Sequence, residues 1–145
     1  MIATRRLTHL GGARVTLGIG VLLVAGGERR LGYTALVANV LSHLAVQVLK
    51  RTVARPRPCD ASGRPLALVE LPDPFSFPSG HAAAATAVAG TIALHAPLLT
   101  PVLLPLVALV AASRVLLRVH HISDVVAGAG LGLVGALAAT VLLNP

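Results

Sequence analysis

The sequence predicts an all-α integral membrane bundle of about five transmembrane helices, folded as a single domain over residues 1–145. Three observations carry that prediction. Hydrophobic residues fill 55% of the 145 positions and charged residues only 12%, against about 25% charged in an ordinary soluble domain. The mean hydropathy is +0.83. The apolar residues fall in long runs separated by short polar turns, without the ten-residue alternating segments of a membrane barrel.

The first run, Val15 to Gly27, has 13 residues free of Lys, Arg, Asp and Glu, short of the roughly 20 that cross a bilayer. It spans only if His9 to Arg14 join the helix and Arg14 snorkels to the interface; lying on the surface instead, it leaves four spans. With Arg5, Arg6 and Arg14 in front of it, the run resembles a signal peptide. It ends, however, in Gly-Gly-Glu-Arg-Arg, without a small-x-small cleavage site that leads into a soluble domain, which predicts a retained helix.

The second run, Leu31 to Leu49, has 19 residues without a charge and forms a clear span. Asn39, His43, Gln47 and Lys50 recur along it at helical spacing, so they share one face. Such a stripe either forms hydrogen bonds between helices or leads a polar substrate towards Lys50.

The extramembrane segment from Lys50 to Pro78 follows, and its prolines argue against a long regular helix. Ala82 to Ala112 is then uncharged over 31 residues, too long for one span. His95-Ala96-Pro97 and Thr100-Pro101 divide it into helices at 80–96 and 100–118. Ser113 to Asp124 is polar again. Val125 to Leu143 is the last span, and its Gly128 and Gly132 stand at the spacing that lets helices approach closely.

The net charge is +7, but aromatic residues make up only 2% and Trp is missing, so stacking platforms for single-stranded nucleic acid are lacking. Basic clusters beside membrane spans point to anionic headgroups or phosphate substrates instead, and nucleic acid is not an expected partner. Cys59 is the single cysteine, which excludes an intrachain disulfide and a multi-cysteine metal site.

Three polar clusters border the predicted helices. Lys50 is followed after six residues by Arg57-Pro58. Pro78-Ser79-Gly80-His81 stands where a helix begins, a place that offers free N–H groups and the positive end of the dipole to an anion. Ser113-Arg114 is followed by His120 and Asp124, which share a helical face. A carboxylate in that position can fix the imidazole tautomer and leave the other nitrogen as nucleophile or base. His121 points about 100° away. Lys50, Arg57 and Arg114 suit the cationic clamp of phosphoryl transfer, with Ser79 and Gly80 as neutral donors and His81 as a proton donor to a leaving alkoxide. Each cluster also has a plainer reading. Flanking cations can be interfacial anchors, Pro-Ser-Gly a helix cap, and His120 with Asp124 a structural pair or, with His121, part of a metal site.

Taken together, the three clusters resemble the three-part signature of the type 2 phosphatidic acid phosphatase superfamily, membrane lipid phosphatases related to vanadium haloperoxidases. The resemblance covers residues 31 to 143. It implies a metal-independent lipid phosphatase without cofactor, acting on a phosphomonoester or pyrophosphate of a polyprenyl or glycerolipid. His120 would be the phosphohistidine-forming nucleophile oriented by Asp124, and His81 the general acid. Lys50, Arg57, Ser79, Gly80 and Arg114 would bind the phosphate. Family members commonly have six spans, and this chain has room for five. A non-catalytic lipid-phosphate-binding protein or a small transporter is the alternative, and neither needs both histidines and Asp124.

With five spans, the N-terminus and the loops at 50–78 and 113–124 share one side of the cell membrane. That side holds 10 of the 12 Lys and Arg residues. Setting aside Lys50, Arg57 and Arg114 leaves seven against Arg29 and Arg30, so the positive-inside rule predicts a cytoplasmic site.

Overall fold

The structure is a computed structural model that describes residues 12–71 and 73–143. Among them are five α-helices: α1 (Ala13–Ala25), α2 (Arg29–Val53), α3 (Gly80–His95), α4 (Thr100–Leu116) and α5 (Ile122–Leu143). A 3-10 turn, Pro97–Leu99, leads into α4. Three apolar stretches are long enough to cross a membrane: α2, Pro97–Leu116 and α5. Helices α1 and α3, with 13 and 16 residues, are shorter. The expected first span also took in His9 to Gly11, which lie outside the described residues.

The helix ends differ from expectation for electrostatic reasons. Helix α2 runs on to Val53 because Lys50 and Arg51 in its last turn complement the negative end of the dipole. It stops at Ala54, whose left-handed φ of 47° lets its N–H close on the Lys50 carbonyl. Helix α5 starts at Ile122, before Asp124 rather than after it. The Asp124 carboxylate accepts the His121 N–H at 2.8 Å, so the acid caps the helix start instead of excluding it.

Helix α3 is the centre of the bundle and packs against the other four. Its sequence explains this place: Ala82, Ala83, Ala84, Ala87, Val88 and Thr91 are buried, and side chains this small let neighbouring backbones approach. Gly128 and Gly132 of α5 complete the fit. A methyl group at Gly128 would overlap the Ser79 carbonyl, and one at Gly132 the Ala83 carbonyl. The predicted close-approach pair thus seats α5 against the start of α3. Gly135 brings α5 equally near α2, where an added methyl would stand 2.8 Å from the Ala38 carbonyl. Asn39 donates to Thr16 Oγ1 at 3.0 Å, which ties α1 to α2. Arg30 reaches the Leu143 carbonyl at 3.4 Å at the end of the bundle away from Lys50.

The segment between α2 and α3 folds over the other end. Isolated bridges pair Pro56 with Phe75 and Cys59 with Pro65, and the Leu68 N–H bonds the Leu117 carbonyl at 3.1 Å. The Phe77–Pro78 peptide bond is cis.

Candidate active site

Four connections draw the three polar clusters into one place. The Ser79 N–H donates to the Asp124 carbonyl at 2.9 Å, which fixes the start of α3 to the start of α5. Arg57 Nη1 donates to the Val119 carbonyl at 2.9 Å, immediately before His120. Ser76 joins the first cluster by its N–H to the Arg55 carbonyl at 2.8 Å and by its hydroxyl to the Pro56 carbonyl at 2.8 Å. The Ser76 carbonyl in turn lies 2.6 Å from His120 Nδ1.

That last contact settles the tautomer. A carbonyl oxygen only accepts, so Nδ1 carries the proton and Nε2 keeps its lone pair. Asp124 Oδ2 is 3.7 Å from the same Nδ1, beyond hydrogen-bond range. The direct hydrogen bond that orients His120 therefore comes from the main chain, while the fully buried Asp124 caps α5 and adds its charge nearby. Asp124 has its own partner: Arg55 Nη1 stands 2.9 Å from Oδ1 and 2.7 Å from Ser123 Oγ.

The surroundings of His120 are strongly cationic. Burial first, then the charges of Arg114, Arg57 and Lys50, push its imidazole down to about 3, with the Ser76 carbonyl pulling the other way. The ring is consequently neutral at physiological pH, which is the form a nucleophile needs. Lys50, Arg57 and Arg114 are all buried. Lys50 closes the last turn of α2 and Arg114 the last turn of α4. Ser79 is buried at the N-cap of α3, where its hydroxyl accepts the Ala82 N–H at 3.4 Å. Gly80 and the half-buried His81 form the first turn.

Asp73 stands between the two cations of the first cluster. Its Oδ2 lies 2.7 Å from Lys50 Nζ and its Oδ1 3.2 Å from Arg57 Nη2. Partial burial works against its ionisation, yet the hydrogen bond and charge of Lys50, with Arg57 and the Phe75 N–H, hold the carboxyl below its ordinary range. Asp73, Arg55 and the Ser76 carbonyl lay outside the sequence-predicted set. Only Arg55 left a trace there, as the first half of a repeated Arg-Pro.

The residues of the α2 stripe part company. Lys50 reaches the site, whereas Asn39 is buried against Thr16. His43 is exposed and sits 3.4 Å from the Gln47 amide, about 10 Å along the axis from Lys50. Among the described residues no three His, Cys, Asp or Glu side chains gather as metal ligands would. An apolar cavity of about 150 Å³ opens beside α3, with Ala85, Val88 and Ile92 on one wall and Val15, Leu106 and Val110 facing them.

The model of the PAP2 superfamily matches residues 31–145. The chain belongs to that family. This PAP2 protein is 38% identical, over 94% of its length and 78% of the relative's, to a decaprenylphosphoryl-5-phosphoribose phosphatase of Mycobacterium tuberculosis. It is 34% identical to an undecaprenyl-diphosphatase of Sulfolobus acidocaldarius, over 77% of this chain and 55% of that one. Among solved structures, a PAP2-type phosphatidylglycerolphosphate phosphatase of Bacillus subtilis superposes with a TM-score of 0.73 and 29% identity, covering 97% of this chain and 74% of its own. Aquifex aeolicus LpxE shares the fold, with a TM-score of 0.78 at 24% identity over 95% and 83% of the two chains. The PAP2 chain is thus a membrane lipid phosphatase that hydrolyses a phosphate or diphosphate ester.

Proposed function

We propose that this chain hydrolyses a polyprenyl-linked phosphate through a phosphohistidine on His120. The observation that carries the reading is the contact of His120 Nδ1 with the Ser76 carbonyl at 2.6 Å, which leaves Nε2 as the other ring nitrogen in a cluster with three buried cations. Nε2 attacks phosphorus, the N–P bond forms and the P–O bond to the lipid breaks. His81 gives its proton to the departing alkoxide. Water then attacks the phosphohistidine, His81 takes a proton back, and inorganic phosphate leaves. Lys50, Arg57 and Arg114 meet the charge on the equatorial oxygens, with Ser79 and the N–H groups at Gly80 as neutral donors.

A lipid substrate fits a site placed at the ends of apolar helices, three of which are long enough to cross a membrane. The polyprenyl class is supported by the names of the sequence relatives, both of which carry a polyprenyl group. The proposed reaction uses no metal ion, so chelators are expected to leave turnover unchanged. The test is phosphate release from a polyprenyl phosphate in detergent, comparing the intact protein with His120→Ala. A loss of about a thousandfold or more is expected for removal of a nucleophile; equal rates would end the assignment.

The proposed site faces the cytoplasm. Among the described residues, the non-catalytic cations Arg14, Arg51, Arg55, Arg64 and Arg118 lie on its side of the bundle against Arg29 and Arg30 on the other. Cys59 is exposed in the loop over the site and reports the side directly. Labelling by an impermeant thiol reagent in intact cells would reverse the orientation.

A further inference from the structure

We propose that Asp73 is a positioning residue that sets substrate preference: by keeping a carboxylate on Lys50 and Arg57, it trims the charge of the site to suit a phosphomonoester rather than a diphosphate. The proposal rests on the phosphatase reading above and adds which phosphate the site prefers.

The contacts show a residue that holds its cations without exhausting them. Asp73 takes the Arg57 Nε–H on its main-chain carbonyl at 3.0 Å and Nη2 on its carboxylate at 3.2 Å. Arg57 Nη1 is committed to Val119 at 2.9 Å. A guanidinium has five N–H bonds, so two of them stay available to an anion. Lys50 gives one N–H to Asp73 at 2.7 Å and reaches the Phe75 carbonyl only at 3.5 Å. Asp73 is itself anchored by the Phe75 N–H at 2.9 Å, and its side chain is 31% exposed. The carboxylate is thus the half-exposed partner of two buried cations.

Charge then decides what fits. Lys50, Arg57 and Arg114 bring three positive charges, and Asp73 cancels one. Asp124 does not enter, because Arg55 matches it at 2.9 Å. His81 brings its proton to either substrate alike. The negative charge of Asp73 beside Lys50 and Arg57 therefore weighs more heavily against a diphosphate than against the dianion of a phosphomonoester, whose second ionisation lies near pH 6. A diphosphate carries a further ionised oxygen. The three cations are buried, so salt screens such a mismatch poorly.

The experiment compares kcat/KM for farnesyl monophosphate and farnesyl diphosphate in detergent, using the full chain and Asp73→Asn. The asparagine keeps an oxygen for Arg57 and the Phe75 N–H but removes the charge. The wild type should favour the monophosphate. In Asp73→Asn the ratio should move towards the diphosphate by about tenfold, chiefly through a lower diphosphate KM. Asp73→Glu, which restores the charge, should move it back. A mere loss of loop structure would lower both rates together and leave the ratio alone. An active Asp73→Asn with an unchanged ratio overturns the proposal, while the phosphatase reading stands. If that variant does not fold, the wild-type ratio decides, and a preference for the diphosphate overturns it. Hydrolysis of neither lipid by the wild type would sink the phosphatase reading and this proposal together.

Discussion

Helices α4 and α5 are almost equally apolar, yet they hold different stations in the bundle. The stretch Pro97–Leu116 has a mean hydropathy of 2.0 and α5 one of 2.2, but 17% of the first is buried inside the protein against 33% of the second. Helix α5 turns Gly128, Gly132 and Gly135 towards its neighbours and comes within contact of the α2 and α3 backbones. Helix α4 presents Val102, Leu104 and Leu109 outward. Hydropathy puts both in the membrane; side-chain size decides which one is packed, because lipid is as good a solvent for leucine as another helix is. The packed helix is also the one whose first turn carries Asp124, so the seam between α3 and α5 is where the chemistry is aligned.

Four substitutions or titrations would break or sharpen this contrast. The largest effect belongs to Gly132→Val. Even the first carbon of the new side chain would overlap the Ala83 carbonyl and stand 2.8 Å from Thr86 Cβ and 2.9 Å from the Ala87 nitrogen. A loss of about 3 kcal/mol is expected from such overpacking, read as a lower melting temperature in detergent with activity falling alongside. A protein as stable as the parent would show that the seam is not tight.

Arg55→Ala comes next. It leaves the buried Asp124 carboxylate without its cation, though Arg55 is 38% exposed and water can partly replace it. A cost of about 2 kcal/mol is expected, measured by denaturation. No change would mean that the His121 N–H alone satisfies Asp124.

The third test is titration. His120 ionises near 3 in the folded site and near 6.5 in an unfolded chain. The unfolded state therefore binds the extra proton between these values, so stability from this group is whole above pH 6.5 and falls away as the pH drops towards 3. The ring should remain neutral at pH 5 by NMR, whereas an ordinary histidine would be about 97% protonated there. A midpoint near 6.5 would remove His120 from the cationic cluster.

The smallest effect is expected for Leu104→Ala on the outward face of α4, within about 0.5 kcal/mol. A larger loss would mean that this face meets protein rather than lipid.

The sequence made the five helices legible because charges are so costly in hydrocarbon that uncharged runs mark them. The site was legible as three clusters at helix ends. Its internal wiring was not. Arg55 and Arg57 look alike in an Arg-Pro repeat, and only the path of the loop sends one to Asp124 and the other to Asp73 and Val119. Asp73 lies in a proline-rich stretch with no periodicity from which a partner could be read. The spacing of Asn39 and His43 correctly places them on one helical face, but a face can straddle the edge of a contact. Thr16 of α1 covers Asn39, while His43 remains exposed.

One consequence follows from the bond between His120 and the Ser76 carbonyl. Every amino acid at position 76 would supply the same oxygen, so no point substitution there deletes the acceptor itself. What can be lost is the course of the chain that carries it, pinned at Arg55 and Pro56 on one side and at Asp124 through Ser79 on the other. The trait under selection is then a length rather than a letter. Insertions at the exposed tip of the loop, Ala61 to Gly63, should be tolerated while both pins hold, and a single-residue change in length between Ser76 and Ser79 should disarm the nucleophile.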